Sequence, residues 1–272
     1  MLSVPALPNK LPRDMSQGKF KSKSRAAPAK VLIRVLAVGA YLKNRACLID
    51  GDRVLWSALH GDLDDAANCI ALEQSVDALL SAASGPLDAV AHDLHPDFHS
   101  TRLALALADQ HGIRAIAVQH HHAHIAVALA EHGICESVIG LALDGSGLGN
   151  DDSAWGGEVL WLSGDHAAHH YRRVDHLTLL AMPGGDAAAR ESWRLAAAVL
   201  HALGRSEEIA PRFAPLVGAQ AARTVCTLLQ RNLHCPLTSS AGRWFDAAAA
   251  ALRLNIQQGF EAQAAIALEA SA

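Results

Sequence analysis

The sequence predicts an α/β protein that is strand-rich at its start and helical toward its end. Three observations carry this prediction. Short apolar runs rich in Val, Ile and Leu open the ordered part of the chain around an Asp-Gly turn. Between residues 64 and 174, segments of helical period alternate with apolar runs of strand length. Beyond Pro183 every periodic segment has helical spacing. Hydrophobic residues make up 51% of the 272 and aromatics only 4%, which suits a soluble α/β chain packed with Ala, Leu and Val. No apolar run approaches the roughly 20 residues of a membrane-spanning helix.

Residues 1–30 hold Pro5, Pro8, Pro12 and Pro28 among scattered lysines and read as a disordered basic leader. Order begins at Val31. Residues 31–38 form a β-rich run ending at Gly39, and 45–49 and 54–59 flank Asp50-Gly51-Asp52 as an antiparallel meander. Residues 64–83 have helical period, with Asp64 or Asp65 as N-cap. Residues 87–91 are a short strand, 100–111 a helix, 114–118 a strand, and 121–132 a helix that Gly133 stops. Residues 138–143 form a near-continuous apolar strand; 158–162 and 169–174 give two more, joined by a Gly-Asp turn at 164–165. Residues 187–203, 219–232, 243–254 and 259–270 are helix-like, the first with Asp186 as N-cap.

A strand meander followed by alternating helices and strands is the plan of one lobe of an actin-like, two-lobed ATPase fold with a mixed sheet. The expected organisation is a leader over 1–30, a metal- and nucleotide-binding α/β lobe over 31–182, and a helical region over 183–272. That last region, without strands of its own, begins a second lobe whose sheet the chain does not supply.

The formal charge of −4 is unevenly spread. Residues 1–30 carry seven basic residues against Asp14, a net of +6, which leaves −10 for the remainder. An acidic body argues against a nucleic-acid-binding surface. The five cysteines form no Cys-x-x-Cys pair, so a zinc finger or disulfide scaffold is not expected and a reducing, cytoplasmic setting fits.

Four histidines lie in the five positions 120–124. His120 and His124 are four apart, so on a helix they share one face and can aim at a single ion. Asp144 closes a buried strand, where α/β folds place ligands. Two imidazoles and a carboxylate suit a divalent ion of the Zn, Fe or Mn type. His121 and His122 point elsewhere on helical geometry, as substrate contacts or outer hydrogen-bond donors. The bland alternative is a polar helix start with surface histidines. Gly145, Ser146 and Gly147 follow the strand as a phosphate-cradling loop would, and Gly156 and Gly157 add a second open-backbone segment. Here the alternative is a plain hairpin turn. His92 and Asp93 end a strand on the same side as His120 and are candidates for a polar cleft wall, or a simple loop.

Taken together, Val118-Gln-His-His-His-Ala-His, Leu143-Asp-Gly-Ser-Gly-Leu-Gly and Trp155-Gly-Gly-Glu resemble the HypF carbamoyltransferase family of NiFe-hydrogenase maturation. Ala91-His-Asp-Leu-His-Pro-Asp, Met182-Pro-Gly-Gly-Asp, Pro236-Leu-Thr-Ser-Ser-Ala-Gly-Arg and Phe260-Glu-Ala-Gln-Ala-Ala extend the match in family order. The resemblance implies the family's C-terminal domain, related to the threonylcarbamoyl-transferases of tRNA and to the actin-like ATPases. It implies transfer of a carbamoyl group from ATP-derived carbamoyl-adenylate to the C-terminal cysteine of the partner HypE, on the way to the cyanide ligands of the hydrogenase iron. His120, His124 and Asp144 match family metal ligands. The loop from Asp144 to Gly147 matches a nucleotide-contacting loop. Asp246 matches an aspartate that holds a ribose in the tRNA enzymes, and Gly259 and Glu261 follow in the same nucleotide wall. No nucleophilic cysteine is expected here, since the partner brings the thiolate.

The chain departs from the family pattern. Ala241 stands where the family usually has cysteine, and Asp152 where it usually has glycine. The family's upstream adenylate-forming domain and its downstream second sheet are not in this sequence. The expectation is one wall of a site, which a separate chain completes in an active enzyme. The alternative is a non-catalytic remnant or a metal- and nucleotide-binding subunit.

Overall fold

Two five-stranded sheets divide the strands of the computed structural model, which describes residues 33–164 and 170–272. The leader expected over 1–30, the first two residues of the opening run, and the Asp165 and His169 positions of the expected turn and strand lie outside the described residues.

The first sheet is built as the apolar runs and turn signals suggest. Strands β1 (Arg34–Ala37), β2 (Cys47–Asp50) and β3 (Arg53–Trp56) form the meander, turning at Gly51 with φ +63°. Helix α1 (Ala66–Ala82) starts where the Asp65 carboxylate accepts from Ala67 N at 2.8 Å, and it buries Leu72, Val76 and Leu79 at helical spacing. Strand β4 (Ala89–Asp93), α2 (His99–His111), β5 (Arg114–Val118) and α3 (His120–His132) follow. Gly112 and Gly133 close the two later helices in the left-handed conformation that glycine tolerates. The strand order is β3-β2-β1-β4-β5, with β1, β4 and β5 mutually parallel. Their C-terminal ends therefore open on one edge, the place where such sheets hold ligands. Leu36, Val38, Leu48, Leu72 and Val90 fill the core beneath that edge.

The second sheet begins with a long hairpin. Strand β6 (Val138–Leu148) pairs antiparallel with β7 (Ala154–Leu162), which also pairs with β8 (Tyr171–His176). Leu143 faces Gly157, but the next pair is Gly147 with Trp155, so β6 bulges at 144–146. Strand β9 (Leu180–Ala181) is followed by α4 (Asp186–Arg190), α5 (Trp193–Ala202), α6 (Ile209–Val217) and α7 (Ala219–Arg231). Strand β10 (Leu237–Thr238) then slots between β7 and β9, ahead of α8 (Ala241–Ala251) and α9 (Gln263–Glu269). Small side chains on α5 and α8, including Ala196, Ala197, Ala247 and Ala250, pack with Trp193, Ile209, Phe213 and Val225 into the helical core.

Several expectations are corrected. The region 183–272, expected to hold no strands, contributes β10 to the sheet that begins with β6. Two residues are too short to show periodicity, so only their pairing reveals them. The strands change sheet between Val118 and Val138, well before the expected boundary at 182. The helix expected over 187–203 is broken into α4 and α5. Its cap position is Gly185, with φ +58°, and Asp186 sits in the first turn. Gly145 and Ser146 lie in a strand bulge and Gly147 in the paired strand just beyond it, rather than in a loop, and Gly156 and Gly157 lie inside β7.

Candidate metal centre

The candidate site forms where the open edge of the first sheet meets the bulge of the second. Helix α3 begins with Gln119, whose side chain caps it by accepting from His122 N at 2.8 Å. One turn apart, His120 and His124 bring their Nε2 atoms to 3.3 Å. The bulge turns Asp144 toward them, with Oδ2 at 3.3 Å from His120 Nε2 and 3.7 Å from His124 Nε2. One ligand atom from each of the three lies within 4.8 Å of the others. Asp144 Oδ1 accepts from Gly145 N at 2.6 Å, while Oδ2 is buried with no hydrogen-bond partner among the described residues. An orphaned carboxylate oxygen between two imidazoles is what a bound cation would satisfy, so the donor set fits a divalent metal.

The tautomer of His120 also fits. Its Nδ1 donates to Asp93 Oδ2 at 2.7 Å, which would leave Nε2 for an ion. Asp93 is in turn anchored by His95 N at 2.8 Å. The carboxylates of Asp144 and Asp93 raise His120 to about 9 in the metal-free protein. Burial works against ionisation of Asp144, yet the His120 and His124 imidazoles beside it and the N–H of Gly145 hold it well below the usual carboxylate range.

His121 corrects an expectation. It does not point away but is fully buried, with Nε2 3.8 Å from Asp144 Oδ2, because the β6 bulge wraps the start of α3. Burial, then the neighbouring His120 charge, pushes its imidazole down to about 4, so it is neutral. His122 does point away, stacking on Tyr171 at 4.6 Å between centroids. His92 and Asp93 close β4. They line a cavity of about 360 Å³ with Gly39, Ala40, His120 and His124, at the C-terminal ends of β1, β4 and β5.

The remaining predicted residues lie around this centre. Gly147 meets the histidines, since a Cβ there would sit 2.8 Å from His121 Cε1. The N–H groups of Gly156 and Gly157 both donate to Glu158 Oε1, at 3.0 and 3.1 Å, rather than standing open. Glu158 is fully buried, accepts also from the Ser239 hydroxyl, and pairs with Arg173 Nε at 2.6 Å. These donors outweigh burial and keep it ionised. Ser240 caps α8 by accepting from Arg243 N at 3.1 Å and donates to the Gly145 carbonyl, which ties the helix to the bulge. Asp246 is buried on α8 with Arg243 Nη2 at 3.0 Å, and burial raises its carboxyl. Gly259 N donates to Gln263, and Glu261 pairs with Lys43 Nζ at 2.9 Å. Asp246, Gly259 and Glu261 stand outside the lining of the cavity beside His120.

Arg173 carries no signal in the sequence, while Gln119, Ser239 and Ser240 stand inside quoted family motifs without a role of their own.

Comparison with known proteins agrees with this architecture. Residues 31–131 match the family described as the HypF Kae1-like domain, and 140–272 match the carbamoyltransferase Kae1-like domain, second subdomain. A carbamoyltransferase HypF homolog of Cupriavidus necator is 61% identical over 238 residues, which is 88% of this chain and 59% of that protein. HypF of Rhizobium leguminosarum is 40% identical over 87% of this chain and 30% of its own length. The crystal structure of full-length HypF in the phosphate- and nucleotide-bound form superposes with a TM-score of 0.78 at 32% identity, covering 89% of this chain and 31% of that one. The chain thus spans well under two thirds of the relatives it matches.

Proposed function

Since the chain belongs to the HypF family, as its Kae1-like carbamoyltransferase domain, we propose that it forms the transfer site for a carbamoyl group in NiFe-hydrogenase maturation. The observation that carries the proposal is the His120–His124–Asp144 cluster, with His120 oriented by Asp93, beside a cavity at the sheet edge. The donor would be ATP-derived carbamoyl-adenylate, and the acceptor the C-terminal cysteine thiolate of a HypE-like partner. The thiolate attacks the carbamoyl carbon, the bond from that carbon to the adenylate phosphate oxygen breaks, and AMP leaves with the electron pair.

A divalent ion held by His120, His124 and Asp144 would supply Lewis-acid charge beside the carbonyl. The chain's own residues do the positioning. Asp93 holds the Nδ1 proton of His120 and so keeps Nε2 free. The small residues Gly39, Ala40 and Ala91 leave room for a compact carbamoyl group in the cavity. Gly145 and Ser146 in the bulge and Gly147 beside it are the candidates for the adenylate phosphate, with Ser240 bracing the Gly145 carbonyl. Asp246 is the candidate for the ribose, and Gly259 and Glu261 for the same nucleotide wall. Gly156 and Gly157 support the bulge through Glu158.

The test supplies the metal-loaded chain with carbamoyl phosphate, ATP, a relative whose adenylate-forming domain alone is active, and the HypE-like partner. Mass spectrometry should find a thiocarbamate on the partner's C-terminal cysteine. Binding of metal and nucleotide without that product would overturn the transfer role and leave a binding subunit that a separate chain must complete.

A further inference from the structure

We infer that His121 is a positioning residue for Asp144, held by Gln119 as a fixed Nε2–H donor, and is not a metal ligand. The inference rests on the metal-centre reading above.

It follows from where each proton must sit. The Gln119 amide has one orientation. Its Oε1 accepts from His122 N at 2.8 Å, and its Nε2 donates to the Leu148 carbonyl at 3.1 Å. Flipping it would set two donors against each other and two acceptors against each other. The second Nε2 hydrogen points to His121 Nδ1 at 2.8 Å. That nitrogen must accept, so the ring carries its proton on Nε2. This Nε2 is buried without a hydrogen-bond partner among the described residues, and it lies 3.8 Å from Asp144 Oδ2, which likewise has none there.

The neighbouring histidine has the opposite arrangement. His120 Nδ1 donates to Asp93, which frees Nε2 to coordinate. Adjacent imidazoles are thus set in opposite tautomers, one as ligand and one as donor. With Oδ1 of Asp144 held by Gly145 N and Oδ2 approached by His121, the carboxylate has only one oxygen, on one side, left for an ion. Gly147 belongs to the same arrangement. A Cβ at 147 would lie 2.8 Å from His121 Cε1 and 3.0 Å from His120 Cβ, so β6 needs glycine just after the bulge to let His121 reach Asp144.

Titration of the metal-free chain with Co²⁺, read by its visible absorption, tests this. His121→Ala should still bind one ion for each that wild type binds, but about 10- to 100-fold more weakly and with an altered absorption band. His121→Gln, which keeps an N–H near the same place, should recover most of the affinity. Wild-type affinity in His121→Ala would overturn the inference, and so would a lost ion matching that of His124→Ala, which would make His121 a ligand. A wild-type chain that binds no Co²⁺ would instead overturn the metal-centre reading. Ring ¹⁵N spectra of the metal-free chain decide the hydrogen-bond arrangement separately. They should show His121 as the Nε2–H tautomer, and an Nδ1–H signal would overturn the inference whatever the metal does.

Discussion

His120 gives its Nδ1 proton to Asp93 Oδ2 at 2.7 Å, so a histidine at the start of α3 takes its tautomer from the end of β4. Twenty-seven residues separate the two in sequence, and the parallel pairing of β4 with β5 brings them together. Asp93→Ala should therefore weaken metal binding by about 10- to 100-fold without removing a ligand. Calorimetric titration of the metal-free variant would show it. An unchanged affinity would mean that the contact does not orient His120.

Metal binding should depend on pH through the same residue. The Asp144 and Asp93 carboxylates favour the His120 imidazolium up to about 9. A cation must displace the Nε2 proton, so apparent affinity should rise about tenfold per pH unit to near pH 9 and then level. In the metal-free protein, a pKa raised above the ordinary 6.5 adds stability that is fully present below pH 6.5 and is lost as pH rises through about 9. Chelator competition and thermal melts between pH 6 and 10 would read both effects. Profiles that are flat across this window would count against the assignment.

Glu158 holds the second sheet beneath the site. Glu158→Gln leaves Arg173 facing a neutral amide and should cost on the order of 3–5 kcal/mol in urea unfolding, as for other broken buried pairs. The exposed pair of Arg205 and Glu208 is the control, and Glu208→Gln should leave the midpoint unmoved.

Gly140 lets α3 lie against β6. An added Cβ would sit 2.5 Å from Ile125 Cδ1 and 2.7 Å from Cγ2. Gly140→Ala should cost about 1–3 kcal/mol. Combining it with Ile125→Val, which removes Cδ1, should cost less than the two single changes added together. Strict additivity in chemical denaturation would show that the clash is relieved elsewhere.

Asp246→Ala should weaken AMP binding by about 10- to 100-fold, the loss expected for a hydrogen bond to a charged group, while Co²⁺ affinity stays at the wild-type value. Equal AMP affinity in both proteins would remove Asp246 from the nucleotide wall.

Much of this was legible in local pattern. The first sheet, its two crossover helices and the glycine stops of α2 and α3 follow from runs, turns and caps that each span a few residues. The i,i+4 spacing of His120 and His124 pointed to a shared helix face, and Asp144 was marked by its place at the end of an apolar run. What local pattern could not show are contacts set by register. The Ser239 hydroxyl reaches Glu158 across 81 residues, and Arg173 reaches Ser239 across 66. Nothing in the residues around Gly156 and Gly157 indicates that their N–H groups are taken by a neighbouring carboxylate.

The sequence by itself determined the periodic elements, the candidate metal-binding residue types and the family to which they belong. Only the tertiary structure decided that Asp93 holds Nδ1 of His120, that Gln119 holds Nδ1 of His121, and that Asp144 leaves the β6 ladder to meet them. Periodicity and caps are properties of neighbouring residues, whereas a tautomer or a bulge is settled by whichever distant acceptor, donor or strand packs against it.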